Sequence, residues 1–96
     1  MPSREDFIQG LKTRLDEWNS AIDELELKLH KVEADSKAKL EEQLQDLKKK
    51  RDSARNDLHN VQAASAEALE DMKSGLDLAW QSMNDSFRSA LSRFRD

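Results

Sequence analysis

The sequence predicts an all-α protein, in which a long helix and a shorter helix form an antiparallel coiled-coil hairpin that self-associates. Charged residues make up 38% of the 96 residues, while only two residues are Gly and one is Pro. Apolar residues recur at helical spacing along nearly the whole chain, which a disordered charged segment does not show. The alternative is one continuous rod-like helix in a multi-stranded coiled coil, about 90 residues and on the order of 135 Å long.

The first helix is expected over residues 3–62. Ser3 followed by Asp6 is a variant of the capping box and directly precedes the first apolar pair. The apolar residues then alternate in steps of three and four, which is the 3.5-residue period of a heptad seam. We expect this seam to project beyond the hairpin and to join subunits, because an exposed apolar stripe needs a partner. The predicted self-association seam is Ile8, Leu11, Leu15, Trp18, Ile22, Leu25, Leu29 and Val32.

The junction between the helices is expected at residues 63–66, and the second helix at residues 67–95. Ser65 can cap the second helix, and Glu67 and Glu70 would then lie in its first turns, where acidic groups favour the helix dipole. The alanine-rich sequence here is equally compatible with an uninterrupted helix. From Leu58 to Phe94 the apolar steps run three, four, four, which is an 11-residue period.

A reversal at Ser65 would place apolar residues of the two helices opposite one another. The exception is Arg51 opposite Trp80, a cation–π pairing worth roughly 0.5 to 2 kcal/mol. Two stripes of similar period match in several registers, so this pairing does not exclude the alternative of one continuous rod-like helix. The predicted hairpin core is Leu40, Leu44, Leu47, Leu58, Val61, Leu69, Met72, Leu76, Trp80, Met83, Phe87 and Leu91.

A family resemblance is carried by the stretches Leu15–Trp18, Ala63–Ser65, Ala66–Leu76, Ala79–Trp80, Phe87 and Ala90–Phe94. In these stretches the chain resembles short bacterial coiled-coil proteins grouped as the cyanobacterial-type stress-response family. The resemblance implies a bacterial, non-enzymatic, stress-associated protein, and it supplies no catalytic residues. Together with the seam, it leads us to expect a homo-oligomer with a structural or protective role in the stress response. Periodicity leaves open the number and orientation of the strands.

Candidate catalytic and metal-binding groups are few. The chain has no Cys and only two His residues. His30 lies one turn after Glu26, but two ligands without a third make an incomplete metal site. His59 would approach Asp71 in the hairpin, where a surface ion pair is the simpler interpretation. We therefore expect no enzyme activity, no small-molecule substrate, no metal and no cofactor.

The basic run Lys48, Lys49, Lys50 and Arg51 is the candidate patch for docking an acidic partner. Nucleic-acid binding needs clustered positive charge, but Asp46 and Asp52 flank this run and the chain has a net charge of −4. A solvated helix face is the favoured interpretation, so we do not expect a nucleic-acid partner.

The alternative function is binding to a lipid or storage-granule surface. The apolar stripe of the second helix is broad and ends in aromatic residues, as interfacial helices do, but acidic residues offset the basic ones on its polar face. Buried core is therefore favoured over membrane-surface binding. The first residues have no apolar signal segment and no window reaches the roughly 20 apolar residues of a spanning helix, so we expect a cytoplasmic protein.

Overall fold

The computed structural model describes residues 4–94, and its elements are three helices: α1 (Arg4–Lys28), α2 (Ala34–Ala63) and α3 (Ala66–Arg93). The all-α prediction is confirmed. The helices pack side by side in a body of 50 × 17 × 17 Å, far shorter than a rod of about 90 helical residues. Ser3 with its proposed cap, and the end of the second helix at residue 95, lie outside the described residues.

The chain breaks its helix at residues 29–33, where the sequence predicts one helix over residues 3–62. The amides of residues 29–31 bond to the carbonyls of residues 26–28, so the last turn of α1 tightens to the 3₁₀ pattern before the chain reverses. The segment Leu29–Glu33 contains neither Gly nor Pro, and local propensity alone would continue the helix. The reversal instead follows from packing, since it lets the stripes of α1 and α2 share one core.

The second reversal lies where the sequence places it. α2 ends at Ala63, and Ala64 and Ser65 are extended. The Ser65 hydroxyl oxygen accepts a hydrogen bond of 3.1 Å from the Ala68 amide, which is the geometry of a helix N-cap. Ser65 therefore caps α3, which is one of the two possibilities that the sequence left open.

Contacts between helices fix their directions. Lys48 of α2 contacts Glu26, near the end of α1, and Arg51 contacts Asn19, further back, so α1 and α2 are antiparallel. The short connection at Ala64 and Ser65 reverses the chain again. α1 and α3 consequently run parallel: the partners Trp18 and Asn84 are 66 positions apart, as are Lys28 and Phe94.

One hydrophobic core runs between the three helices. Its largest fully buried side chains include Trp18 from α1 and Trp80 from α3. The sequence stripes predict which side of each helix is buried. The core residues are Leu11, Leu15, Trp18, Ala21, Ile22, Leu25, Leu40, Leu44, Leu47, Ala54, Trp80, Phe87, Ala90 and Phe94.

Candidate self-association site

The predicted seam of α1 lies against the other helices of the same chain. Of its eight residues, Ile8, Leu29 and Val32 are half-buried, and the last two pack on the core. The structure thus covers within one chain the stripe that we expected a second subunit to cover. The buried members are Leu11, Leu15, Trp18, Ile22 and Leu25.

Trp18 is the seam residue that joins α1 to α3. Its ring stacks on Phe87, with centroids 5.5 Å apart and planes inclined by 6°. Its Nε1–H donates to Asn84 Oδ1 at 3.3 Å, so the polar edge of this buried indole is satisfied. A bulky Trp therefore fits this position because α3 provides both a flat aromatic surface and an acceptor.

The predicted hairpin core is also buried, although α1 shares it. Its half-buried members are Leu58, Met72, Leu76, Met83 and Leu91. The remaining members are buried, namely Leu40, Leu44, Leu47, Val61, Leu69, Trp80 and Phe87.

The cation over Trp80 comes from α1 and not from α2. The Arg14 guanidinium carbon lies 5.7 Å from the ring centroid, and Arg14 also forms an ion pair of 3.7 Å with Asp77. The Phe7 ring also packs on Trp80, with centroids 5.0 Å apart and planes inclined by 37°. The predicted pairing of Arg51 with Trp80 is wrong, because α1 packs as a third helix. Its Arg14 lies over the ring, and Arg51 contacts Asn19 of α1. Trp80 Nε1 is buried and has no hydrogen-bond partner among residues 4–94.

Three of the four residues of the basic run, Lys48, Lys50 and Arg51, contact different partners, so the run does not form one cationic patch. Lys48 pairs with Glu26 of α1 at 3.7 Å, whereas Lys50 contacts Asp46 at 3.0 Å and donates to Ser86 of α3 at 3.2 Å. Arg51 donates to Asn19 of α1 and pairs with its neighbour Asp52. Lys49 is exposed. Most of this positive charge is therefore used to join helices.

Asn19 and Asn84 are contact residues that the sequence does not reveal. Each accepts a hydrogen bond from another helix, Asn19 from Arg51 and Asn84 from Trp18. A single amide beside an apolar stripe has no periodic signal, so only the arrangement of all three helices identifies these positions.

The connection between α1 and α2 lacks the usual helix caps. Glu33 occupies the N-cap position of α2 with φ −69° and ψ 161°, but within the described residues its side chain makes no capping hydrogen bond. No residue in 4–94 has a positive φ, so α1 does not end in the left-handed residue that closes many helices. Leu29 and Val32 pack on the core. Burial, more than capping, holds this connection.

Within the described residues, neither the histidines nor the surface grooves bring together groups that would form a catalytic or metal-binding site. His30 and His59 are exposed, and Glu26, proposed as a metal partner of His30, pairs with Lys48. Within residues 4–94, no three side chains of the His, Asp or Glu type are grouped so that they could hold a metal ion. The groove beside Asp85 and Arg88 is open to solvent and is lined by residues of α3 alone. The helices between residues 4 and 94 are also not apolar over a length sufficient to cross a membrane.

Comparisons with family models, with curated proteins and with solved structures gave no match. The fold alone defines the class, an all-α domain of three packed helices over residues 4–94.

Proposed function

We propose that the chain is a non-enzymatic helical protein that self-associates and has a structural or protective role in the bacterial stress response. The observation that carries the proposal is the long antiparallel contact between α1 and α2, which includes the predicted seam. A second copy can supply the same contact with the same residues, because antiparallel pairing of identical chains has two-fold symmetry. The stress role rests on the family resemblance.

The use of the half-buried polar side chains between helices agrees with a structural role. The amide of Asn84 binds the indole of Trp18, and the ammonium of Lys28 donates to the Phe94 carbonyl at 2.8 Å. Arg51 joins α2 to Asn19 of α1. These polar side chains hold helices together at defined positions, which is what a structural protein requires of them.

Self-association is tested by light scattering after size exclusion, with circular dichroism measured on the same samples. From low micromolar to about millimolar protein, we expect the mass to rise from monomer to dimer while the chain stays helical throughout. A fully helical monomer at every concentration would contradict the proposal.

The protective role has its own test. Turbidity of a heat-labile enzyme is followed during heating, with and without an equimolar amount of this chain. We expect slower aggregation with the chain present, and no effect of an unrelated helical protein of similar net charge. Equal aggregation in all three samples would remove the protective role and leave a purely structural one.

A second candidate function is binding to a lipid or storage-granule surface. The observation that favours it is α3, whose apolar stripe ends in Phe94 and which also exposes 68% of Leu78 on another side. Trp80 is 1% exposed, so lipid contact by the stripe requires the helices to separate. Co-sedimentation with neutral and with anionic vesicles tests it, with Trp fluorescence as a second readout. Absence of binding together with unchanged emission would exclude this candidate.

A further inference from the structure

We propose that two copies associate by exchanging α1. The connection at residues 29–33 straightens, α1 and α2 become one helix, and α1 packs on α2 and α3 of the second copy. This inference rests on the proposed self-association and specifies its route. Exchange of an identical element keeps the existing core interface, because each core contact of α1 is made again with the partner.

The first argument is the sequence of the connection. Leu29–Glu33 contains no Gly or Pro, and neither of the helix ends that it joins has a side-chain or left-handed cap within the described residues. Straightening therefore breaks few local hydrogen bonds and creates new helical ones. Leu25, Leu29 and Val32 are spaced by four and three residues, so a straight helix keeps them on one continuous stripe.

The second connection does not share this property. Ser65 caps α3 through its bond to the Ala68 amide, and a straight helix would lose that cap. The difference between the two connections identifies α1, and not α3, as the exchanged helix.

The third argument is the register between α1 and α2. Position 36 lies midway, to within one residue, between Glu26 and Lys48 and also between Asn19 and Arg51. Two straight α1–α2 helices that cross antiparallel at Ser36 therefore reproduce between copies the pairs that one chain makes with itself. Ser36 of each copy then lies beside the two-fold axis.

Charges around Ser36 suit this crossing. Glu33 and Asp35 precede it, and Lys37 and Lys39 follow it. In an antiparallel crossing at Ser36, Glu33 of one copy lies at the level of Lys39 of the other, and Asp35 at the level of Lys37. The segment that is new in the dimer is thus complementary in charge to itself.

A proline substitution can distinguish the two conformations of residues 29–33, because it is compatible with the bent connection and not with a continuous helix. Ala34 is the first residue of α2 and follows an extended residue, so Ala34→Pro fits the closed chain. In a continuous helix the same proline removes an amide and clashes with the preceding turn. We expect Ala34→Pro to raise the dimer dissociation constant at least about 100-fold, since both copies carry the proline.

Ala66→Pro is the matched control. Ala66 is the first residue of α3, and Ser65 before it has φ −67° and ψ 164°, nearly the backbone of Glu33. This proline leaves residues 29–33 unchanged, and we expect a dissociation constant within about threefold of the parent. Equal effects of the two prolines would overturn the exchange of α1.

Disulfide trapping gives a direct readout, because the chain has no Cys. Chains with Glu26→Cys are mixed with chains with Lys48→Cys, unfolded, refolded together and oxidised. We expect a disulfide that links the two different chains, because exchange places α1 of one copy on α2 of the other. Dimers without this disulfide would overturn the exchange and leave self-association standing. Monomers at every concentration would overturn both.

Discussion

The ring of Trp18 lies nearly parallel to that of Phe87, with centroids 5.5 Å apart, and this contact joins α1 to α3 in the core. Trp18 is 1% exposed and Phe87 2%. Stacked aromatic pairs contribute about 0.5 to 1.5 kcal/mol beyond the area they bury. A substitution at either ring therefore measures how much this contact between α1 and α3 contributes to the free energy of unfolding.

Phe87→Ala is expected to lower the free energy of unfolding by about 3 to 5 kcal/mol, because it removes the stack and leaves a cavity. Urea unfolding followed by circular dichroism measures it. Leu78→Ala in the same helix is the control, since Leu78 is 68% exposed, and it should change stability by no more than about 0.5 kcal/mol. Similar losses for both variants would mean that α3 does not bury this face.

Trp80→Phe should lower the free energy of unfolding less than Trp18→Phe does. The difference between the two losses should be about 1 to 2 kcal/mol. Both indoles are buried to the same extent. Trp18→Phe leaves Asn84 without its donor, whereas Trp80→Phe removes an N–H that has no partner within residues 4–94. Thermal unfolding of the two variants at equal protein concentration measures the difference. A larger loss for Trp80→Phe would show that its N–H is satisfied in solution.

The two N-caps respond in opposite directions to substitution. Ser65→Ala should lower the free energy of unfolding by about 1 kcal/mol, because it removes the acceptor of the Ala68 amide. Glu33→Ser should raise it by up to about 1 kcal/mol, since it supplies a cap that Glu33 does not provide within the described residues. Urea unfolding at low micromolar protein, where monomers predominate, makes the comparison. A stabilising Ser65→Ala would contradict the cap geometry.

Gly10→Ala and Gly75→Ala should each stabilise the chain by roughly 0.5 to 1 kcal/mol. Both glycines lie inside helices, and a Cβ placed on either meets no atom within 4 Å in the described structure. Alanine therefore adds helix propensity without a clash. The melting temperature of each variant measures the effect. A decrease for either one would indicate that its bare backbone contacts another chain, which sedimentation of the same variant would reveal.

The sequence predicts the buried face of each helix and the second reversal, but not the first. Ser65 is a possible N-cap in the sequence, so a helix boundary there is one of the two outcomes that local chemistry allows. Leu29 and Val32 continue the heptad stripe in a segment without helix breakers, so the reversal there depends on packing between distant residues. The cation over Trp80 also depends on packing between distant residues. It is Arg14 of α1, whereas a hairpin of two helices places only Arg51 opposite the ring.

The separation of 66 positions between Trp18 and Asn84 has a consequence for the order of folding. The contact between Arg51 and Asn19 closes a segment of only 32 positions, and that between Lys50 and Ser86 one of 36. Longer closures lose more chain entropy, by about 0.6 kcal/mol for each doubling of length. We therefore expect α1 and α3 each to pack on α2 before they contact one another. In a Trp80→Phe background, the fluorescence of Trp18 then reports the final docking of α1 on α3.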